Sequence, residues 1–384
     1  MNLFTYLEID ADKLDEYIDN RLIDRNFHDE FPLAIMCYGR KAVYDNIWDS
    51  VTTKCRGLIY NTETFEIVSR PFEKFFNYGV PPLTALCSHY DASFSGEPEI
   101  YEKMDGFLCI LYNYNGIDYI ASKGSFNSVH AKWATKWYQK HRPDWRWRPG
   151  FTPVFEGLTP NLRIVVDYGK REGLTLLALI DNETGEEIDY DDLCQYASLN
   201  SLSIPEKYRF TMDKALKEAN TNKQNFEGFV LVWHRSGQTP FRLKVKLLEY
   251  LKIHRIVTQT SPKRILEALE NGWDSVLDQW TNETNPWFSH FISKWRHYLE
   301  NEYKQINGAA ETIFMCARAA LNAPPYGNEL PTRKQWAELF TNTQNKPISG
   351  VLFAMLDGKN VRPIIWKMLK SKVSGVKPLV DSHL

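Results

Sequence analysis

From its start to about residue 255 the chain is made of short apolar, strand-like runs cut by turn residues, with no long helical period between them. Gly57–Tyr60, Phe107–Tyr112, Arg163–Val166, Leu174–Ile180 and Gly228–Trp233 are such runs, and Asn115-Gly116 and Thr184-Gly185 are typical separators. A doubly wound parallel sheet needs a helical crossover after each strand. This texture therefore predicts an antiparallel, mixed α+β core. After about residue 256 the period changes. Phe288, Phe291, Trp295 and Leu299 recur at helical spacing, residues 308–322 are rich in alanine, and Val351–Met355 and Ile364–Leu369 read as further helices. Residues 256–384 are predicted to form a separate all-α domain.

With 43% hydrophobic and 24% charged residues, the 384-residue chain has the composition of a globular protein. Its formal net charge of -2 excludes a global basic excess, so any nucleic-acid site has to be a local patch. Cys37, Cys55, Cys87, Cys109, Cys194 and Cys316 include no CxxC pair, which argues against zinc and against a disulfide framework. The acidic N-terminus lacks the apolar stretch of a signal peptide, and no apolar run reaches transmembrane length. A cytoplasmic protein with reduced thiols is the expectation.

The chemistry is concentrated in an ordered series of ionisable residues at strand edges. Glu102-Lys103-Met104-Asp105-Gly106 precedes an apolar run. A lysine that attacks phosphorus needs its free amine, and so needs desolvation or neighbouring positive charge. By itself the four-residue pattern Lys103–Gly106 recurs by chance and reads more readily as a surface turn with a solvated lysine. Phe155-Glu156-Gly157 and Phe226-Glu227-Gly228 then place two carboxylates at strand ends. In Lys244-Val245-Lys246, the two-residue period of a strand turns both lysines to one face. Carboxylates suit a magnesium ion or its waters, and paired lysines suit phosphate oxygens and would lower the amine pKa of Lys103. Together these are the parts needed for nucleotidyl transfer by in-line displacement.

This set resembles motifs I, III, IV and V of the covalent nucleotidyltransferases, the superfamily of ATP-dependent ligases and mRNA capping enzymes, with Leu174–Ile180 in the place of the motif IIIa strand. Upstream, Lys54-Cys55-Arg56-Gly57 and Ser69-Arg70-Pro71-Phe72-Glu73-Lys74-Phe75-Phe76-Asn77 resemble the N-terminal module of the bacteriophage RNA ligase 1 family, ATP-dependent ligases of the tRNA-repair type. Lys246–His254 is similar to the stretch that follows motif V there. The resemblance spans about residues 40–255. It implies an ATP-grasp-like ligase core over 1–255, including an N-terminal module over about 1–95.

It also implies residue roles. Lys103 would carry AMP as a phosphoamide, and Arg56 and Lys74 would contact the triphosphate. Glu102, Asp105 and Gly106 would belong to the ATP site. Glu156 and Glu227 would bind nucleotide and metal, and Lys244 and Lys246 would assist transfer. ATP with Mg2+, or Mn2+ in its place, would be required. The partner would be RNA with 5'-phosphate and 3'-hydroxyl ends, such as a broken tRNA, handled by a monomer in the cytoplasm (the host's, for a phage-encoded enzyme). Lys123, after a strand, is a candidate nucleotide or RNA contact, and Phe76 is either a neighbour of the nucleotide or a core aromatic.

For RNA, residues 129–148 offer a stripe of Val129, Trp133 and Trp137 beside one of Lys132, Lys136 and Lys140, extended by Arg142, Arg146 and Arg148. This is either a stacking platform with phosphate ligands or an amphipathic helix with a solvated lysine face. Lys367, Lys370 and Lys372 lie in an acid-free span near the C-terminus, which reads as a backbone-phosphate patch or a solvated tail. A DNA ligase, a GTP-dependent capping-type enzyme and a non-catalytic RNA-binding protein are the competing functions.

Overall fold

The computed structural model describes residues 1–79, 96–141, 148–235, 237–284, 286–323, 330–342 and 344–376. The chain divides into two compact units, Met1–His254 and a second beginning at Arg255.

Among the described residues, the strands of the first unit form three sheets. The first joins β1 (Ile23–Phe27), β2 (Leu33–Tyr38), β3 (Arg56–Asn61) and β4 (Ile67–Ser69) in that order. Helices α1 (Leu3–Leu7) and α2 (Ala11–Asp19) precede these strands, and α3 (Arg40–Tyr44) and α4 (Ser50–Lys54) link β2 to β3. After β5 (Phe76–Asn77) and β6 (Glu99–Lys103) come β7 (Phe107–Tyr114), β8 (Ile117–Ala121), α5 (Val129–His141), β9 (Phe151–Leu158) and β10 (Gly173–Asp181). The second sheet has the order β10-β9-β7-β8. Helix α6 (Tyr190–Leu199), β11 (Lys207–Tyr208), α7 (Met212–Ala219), β12 (Gly228–Arg235) and β13 (Gln238–Lys246) complete the unit's strands, and the third sheet runs β11-β6-β12-β13-β5. All pairs are antiparallel except β13 with β5. The mixed α+β class with antiparallel sheets is what the strand-and-turn texture predicts.

The apolar runs are continuous because their strands are covered on both sides. In β2, Leu33 and Ile35 join Leu108, Ile110 and Tyr112 of β7 in one core, while Ala34 and Met36 face Leu3, Leu7 and Leu14 from the first two helices. The other face of β7, with Phe107, Cys109 and Leu111, packs under Ala134 and Tyr138 of α5.

Arg163–Val166 departs from its expected strand. Here the β-branched run is a loop, because its amides are taken by a side chain instead of a sheet: Val165 and Val166 N–H donate to Asp105 Oδ2 (2.8 and 2.7 Å). Helix α5 buries a different stripe from the expected one. Ala131, Ala134 and Tyr138 are buried and Val129 is 67% exposed. Trp133 and Trp137 pack against the core flanking the buried stripe, and Trp133 Nε1 donates to Glu172 (3.0 Å).

Helix α8 (Leu248–Gln259) follows β13, and the second unit then holds α9 (Pro262–Asn271), α10 (Asp274–Glu283), α11 (Pro286–Leu321), α12 (Arg333–Phe340), α13 (Ser349–Leu356) and α14 (Arg362–Val373). The aromatic stripe from Phe288 and the alanine-rich stretch from 308 are one 36-residue helix, α11. Ala310, Ala317 and Leu321 of α11 pack with Trp336, Phe340, Val351 and Ile365. Arg296 of α11 ties to α10 by pairing with Asp274 and Asp278. No described helix is long and apolar enough to cross a membrane.

Candidate active site

Strand register brings the central residues together. Gly228, first in β12, is opposite Lys103 at the end of β6 and Lys246 at the end of β13. The preceding carboxylate, Glu227, therefore meets both lysines, with Oε2 2.9 Å from Lys103 Nζ and Oε1 2.9 Å from Lys246 Nζ. The glycine is required. Its φ is +149°, and a Cβ there would lie 2.1 Å from the Val245 carbonyl oxygen.

The turn after Lys103 is held equally firmly. Asp105 is buried, accepts the two loop amides at Oδ2 and accepts Tyr250 O–H at Oδ1 (2.7 Å). Its own N–H donates to Tyr168 Oη (2.8 Å). Gly106 N–H donates to Glu156 Oε1 (3.0 Å), and a Cβ on Gly106 would lie 2.3 Å from the Gly157 carbonyl. Beside this turn a small recess is lined by Asp105, Gly157, Thr159, Arg163, Tyr168 and Arg171.

Around Lys244 the site is positively charged. Lys244 pairs with Asn77 in the parallel β13–β5 register, which carries the Lys74–Asn77 segment to this edge. Arg56 begins β3, and its Nη1 lies 3.4 Å from the Phe72 carbonyl. The Phe75 ring is 4.5 Å from Lys244 Nζ and 5.6 Å from the Arg56 guanidinium carbon. Burial pushes the Lys244 amine well below its ordinary range, and Lys74, Lys103, Arg56 and Lys246 push it further. Burial also lowers Lys74, with Arg56 and Lys123 adding to the effect and Tyr38 opposing it. No ion pair joins a carboxylate to Lys244, Lys74 or Arg56 among the described residues. Such a cluster is costly without an anion of several charges.

The Lys103 amine is shifted upward, contrary to the expectation that neighbouring lysines lower its pKa. Burial pulls the amine down, but Glu227, Glu156 and Asp105 outweigh it and raise the pKa overall. Glu227 is held below the usual carboxylate range because Lys103 and Lys246 overcome its burial. Glu156 moves the other way: burial lifts it to about 7, against the pull of Lys103. Its folded pKa lies above the ordinary 4.5, so its neutral form favours folding. That contribution is complete below pH 4.5 and is lost as pH rises to about 7. Glu156→Gln is therefore expected to raise Tm at pH 8 by more than at pH 5. The limit at high pH is about 3 kcal/mol. Equal shifts at both pH values, in melts without nucleotide, would contradict the assignment.

Both oxygens of Glu227 are engaged by lysines, and no group of three or more His, Cys, Asp or Glu side chains able to hold a metal occurs among the described residues. Glu156 would be the carboxylate left to hold a magnesium ion or its waters, which would supply positive charge at the phosphates.

Of the other expected residues, Glu102 is half-buried on β6, and its N–H donates to the Glu206 carbonyl (2.8 Å). Lys123 Nζ sits 5.3 Å from the Tyr38 ring centroid. Lys132, Lys136 and Lys140 form an exposed face of α5, whereas Arg142 and Arg146 lie outside the described residues. Lys367 is exposed, but Lys370 and Lys372 pair with Glu270 and Glu302, so part of the basic run is neutralised within the helical unit. Tyr38, Trp48 and Tyr168 went unnoticed in the sequence. The only signals were a tyrosine closing an apolar strand run and a tryptophan in a polar loop. Tyr250 stood out only as part of the stretch after Lys246.

A lysine paired with a carboxylate and clustered with further basic side chains fits a covalent nucleotidyltransferase. A family model described as RNA ligase matches residues 54–250, and the chain belongs to that RNA ligase family. The chain is 28% identical over 246 residues to a putative bifunctional polynucleotide kinase/RNA ligase of Autographa californica nuclear polyhedrosis virus. That match takes in 58% of this chain and only 34% of the viral protein, so the chain spans about a third of that relative's length. An RNA ligase of a Rhodothermus phage is 24% identical over 369 residues, covering 79% of this chain and 81% of the phage protein. A solved Naegleria gruberi RNA ligase variant with ATP and Mn is 12% identical with a TM-score of 0.35, covering 45% of this chain and 55% of that one.

Proposed function

We propose that the chain catalyses ATP-dependent joining of RNA 5'-phosphate and 3'-hydroxyl ends. The observation that carries this reading is Lys103 joined through Glu227 to Lys246, next to Lys244, Lys74 and Arg56, which lack a described carboxylate partner. A triphosphate is the ligand whose charge suits that cluster.

In the first step, the Lys103 ammonium gives its proton to solvent, and the free amine attacks the α-phosphorus of ATP. A P–N bond forms, and the bond to pyrophosphate breaks. Lys74 and Arg56 hold the departing phosphates, while Lys244 and Lys246 offset charge on the transferred one. In the second step, a 5'-phosphate of RNA takes AMP from Lys103. In the third, a 3'-hydroxyl attacks that phosphate and AMP leaves. Magnesium supplies positive charge that lessens repulsion among the phosphates when bound. The exposed α5 lysines suit RNA backbone phosphates, and a broken tRNA would be the natural substrate if the resemblance to repair-type ligases extends to this chain.

The steps separate on a pre-adenylylated RNA, which needs no lysyl-AMP. Lys74→Ala and Lys246→Ala are both expected to slow self-adenylylation by about 100-fold or more. On pre-adenylylated RNA, Lys246→Ala stays impaired and Lys74→Ala recovers. Replacing Lys132, Lys136 and Lys140 together with alanine spares self-adenylylation and raises the KM for RNA, increasingly so with salt. Equal loss by Lys74→Ala on both substrates would exclude its role at the leaving group. An unchanged KM in the triple variant would remove α5 from the RNA path.

A further inference from the structure

The site holds its lysines in two different ways. Lys103 and Lys246 are gripped by the Glu227 carboxylate. The Lys74 ammonium stands instead among three aromatic rings, 5.2 Å from the centroid of Tyr38, 5.0 Å from Trp48 and 5.3 Å from Phe76. The rings meet edge to face, Tyr38 on Trp48 at 5.1 Å and 79° and Trp48 on Phe76 at 5.4 Å and 76°. They come from separate segments: the end of β2, the loop before α4, and β5.

The loop carrying Trp48 is built rather than loose. Asn46 adopts a φ of +55°, and its Oδ1 accepts from Trp48 Nε1 (3.1 Å). Asp49 caps α4 by accepting from Val51 and Thr52 N–H, and also accepts from Tyr17 O–H (2.7 Å). The backbone of Lys74 is fixed to the same helix, its N–H donating to the Thr53 carbonyl (2.8 Å). Loop, helix and lysine are thus one assembly. Tyr38 and Trp48 are only half-buried, more exposed than a core role requires. Tyr38 also lies 5.3 Å from a second ammonium, Lys123.

A carboxylate at Lys74 would orient the ammonium but compete with phosphate for it. Aromatic faces attract a cation through their quadrupoles and leave its full charge for an incoming anion. We propose that Tyr38, Trp48 and Phe76 form an aromatic box that positions Lys74 for the terminal phosphates of ATP while keeping it un-neutralised. The proposal rests on the reading of Lys74 as a ligand of the leaving phosphates. The three rings are positioning residues that serve lysyl-AMP formation and have no part in sealing.

The test compares Trp48→Leu, which keeps apolar bulk and removes the quadrupole, with Trp48→Phe, which keeps a ring. Trp48→Leu is expected to raise the KM for ATP in self-adenylylation by about tenfold, and Trp48→Phe to recover most of the loss. Sealing of pre-adenylylated RNA stays near wild type in both. In a Lys74→Ala background, Trp48→Leu adds no further loss, because the box has nothing left to position. Tyr38→Leu repeats the comparison on a second wall should Trp48→Leu fail to fold. The box is overturned if leucine matches wild type, if phenylalanine and leucine lose equally, or if sealing falls in parallel. If Lys74→Ala itself leaves self-adenylylation intact, the reading of Lys74 fails instead, whatever the tryptophan variants do.

Discussion

Lys103→Ala leaves a folded protein that acquires no AMP from ATP. Glu227 keeps Lys246 as a partner after the substitution, so the buried carboxylate is not stranded and the melting temperature stays within a few degrees of wild type. Lys103→Arg fails as completely. A guanidinium keeps its proton at every accessible pH and offers no lone pair to phosphorus. The check is transfer of label from ATP to protein after denaturing gel separation, with melts of each variant alongside. A variant lacking Lys103 that still labels would remove the nucleophile.

Glu227→Ala has the second large effect, and it falls on stability as well as rate. The substitution leaves the Lys103 and Lys246 ammonium groups close together in a site already crowded by Lys244. Breaking a buried ion pair from one side costs about 3–5 kcal/mol. Self-adenylylation falls with it, by about 100-fold or more, since the attacking amine loses its anchor. The sign with pH follows from the depressed pKa of Glu227. Its stabilisation is complete above pH 4.5, the ordinary carboxylate value, and is lost as pH falls through the lower folded value. The Tm gap between wild type and Glu227→Ala is therefore wide at pH 7 and narrows on acidification. Pyrophosphate narrows it too, because it supplies the missing anion. A gap that does not change with pH would contradict the ion-pair account.

Much of this was legible in the sequence because it is periodic or local. Turn residues between short apolar runs predicted antiparallel sheets, and two-residue alternation put Lys244 and Lys246 on one face. Register was not legible. That Gly228 lies between Lys103 and Lys246, and so lets Glu227 bind both, depends on three strands meeting at one level. The upward shift of the Lys103 amine followed from that register and inverted the expected direction. Arg163–Val166 misled because β-branched residues mark extended backbone, whether its amides go to a neighbouring strand or, as here, to Asp105. The aromatic box was hidden because its walls are separated in sequence and none carries a charge.

The central claim is that label travels from ATP to Lys103 and from Lys103 to RNA. The direct measurement loads the protein with ATP labelled at the α-phosphate, removes free nucleotide, maps the adduct by mass spectrometry and then adds 5'-phosphorylated RNA with a free 3'-hydroxyl. The account predicts AMP on Lys103 alone, followed by its appearance on the RNA 5' end and its release as the strands join. Label drawn from GTP in preference to ATP, an adduct on another residue, or an adduct that passes to DNA ends and not to RNA would contradict it.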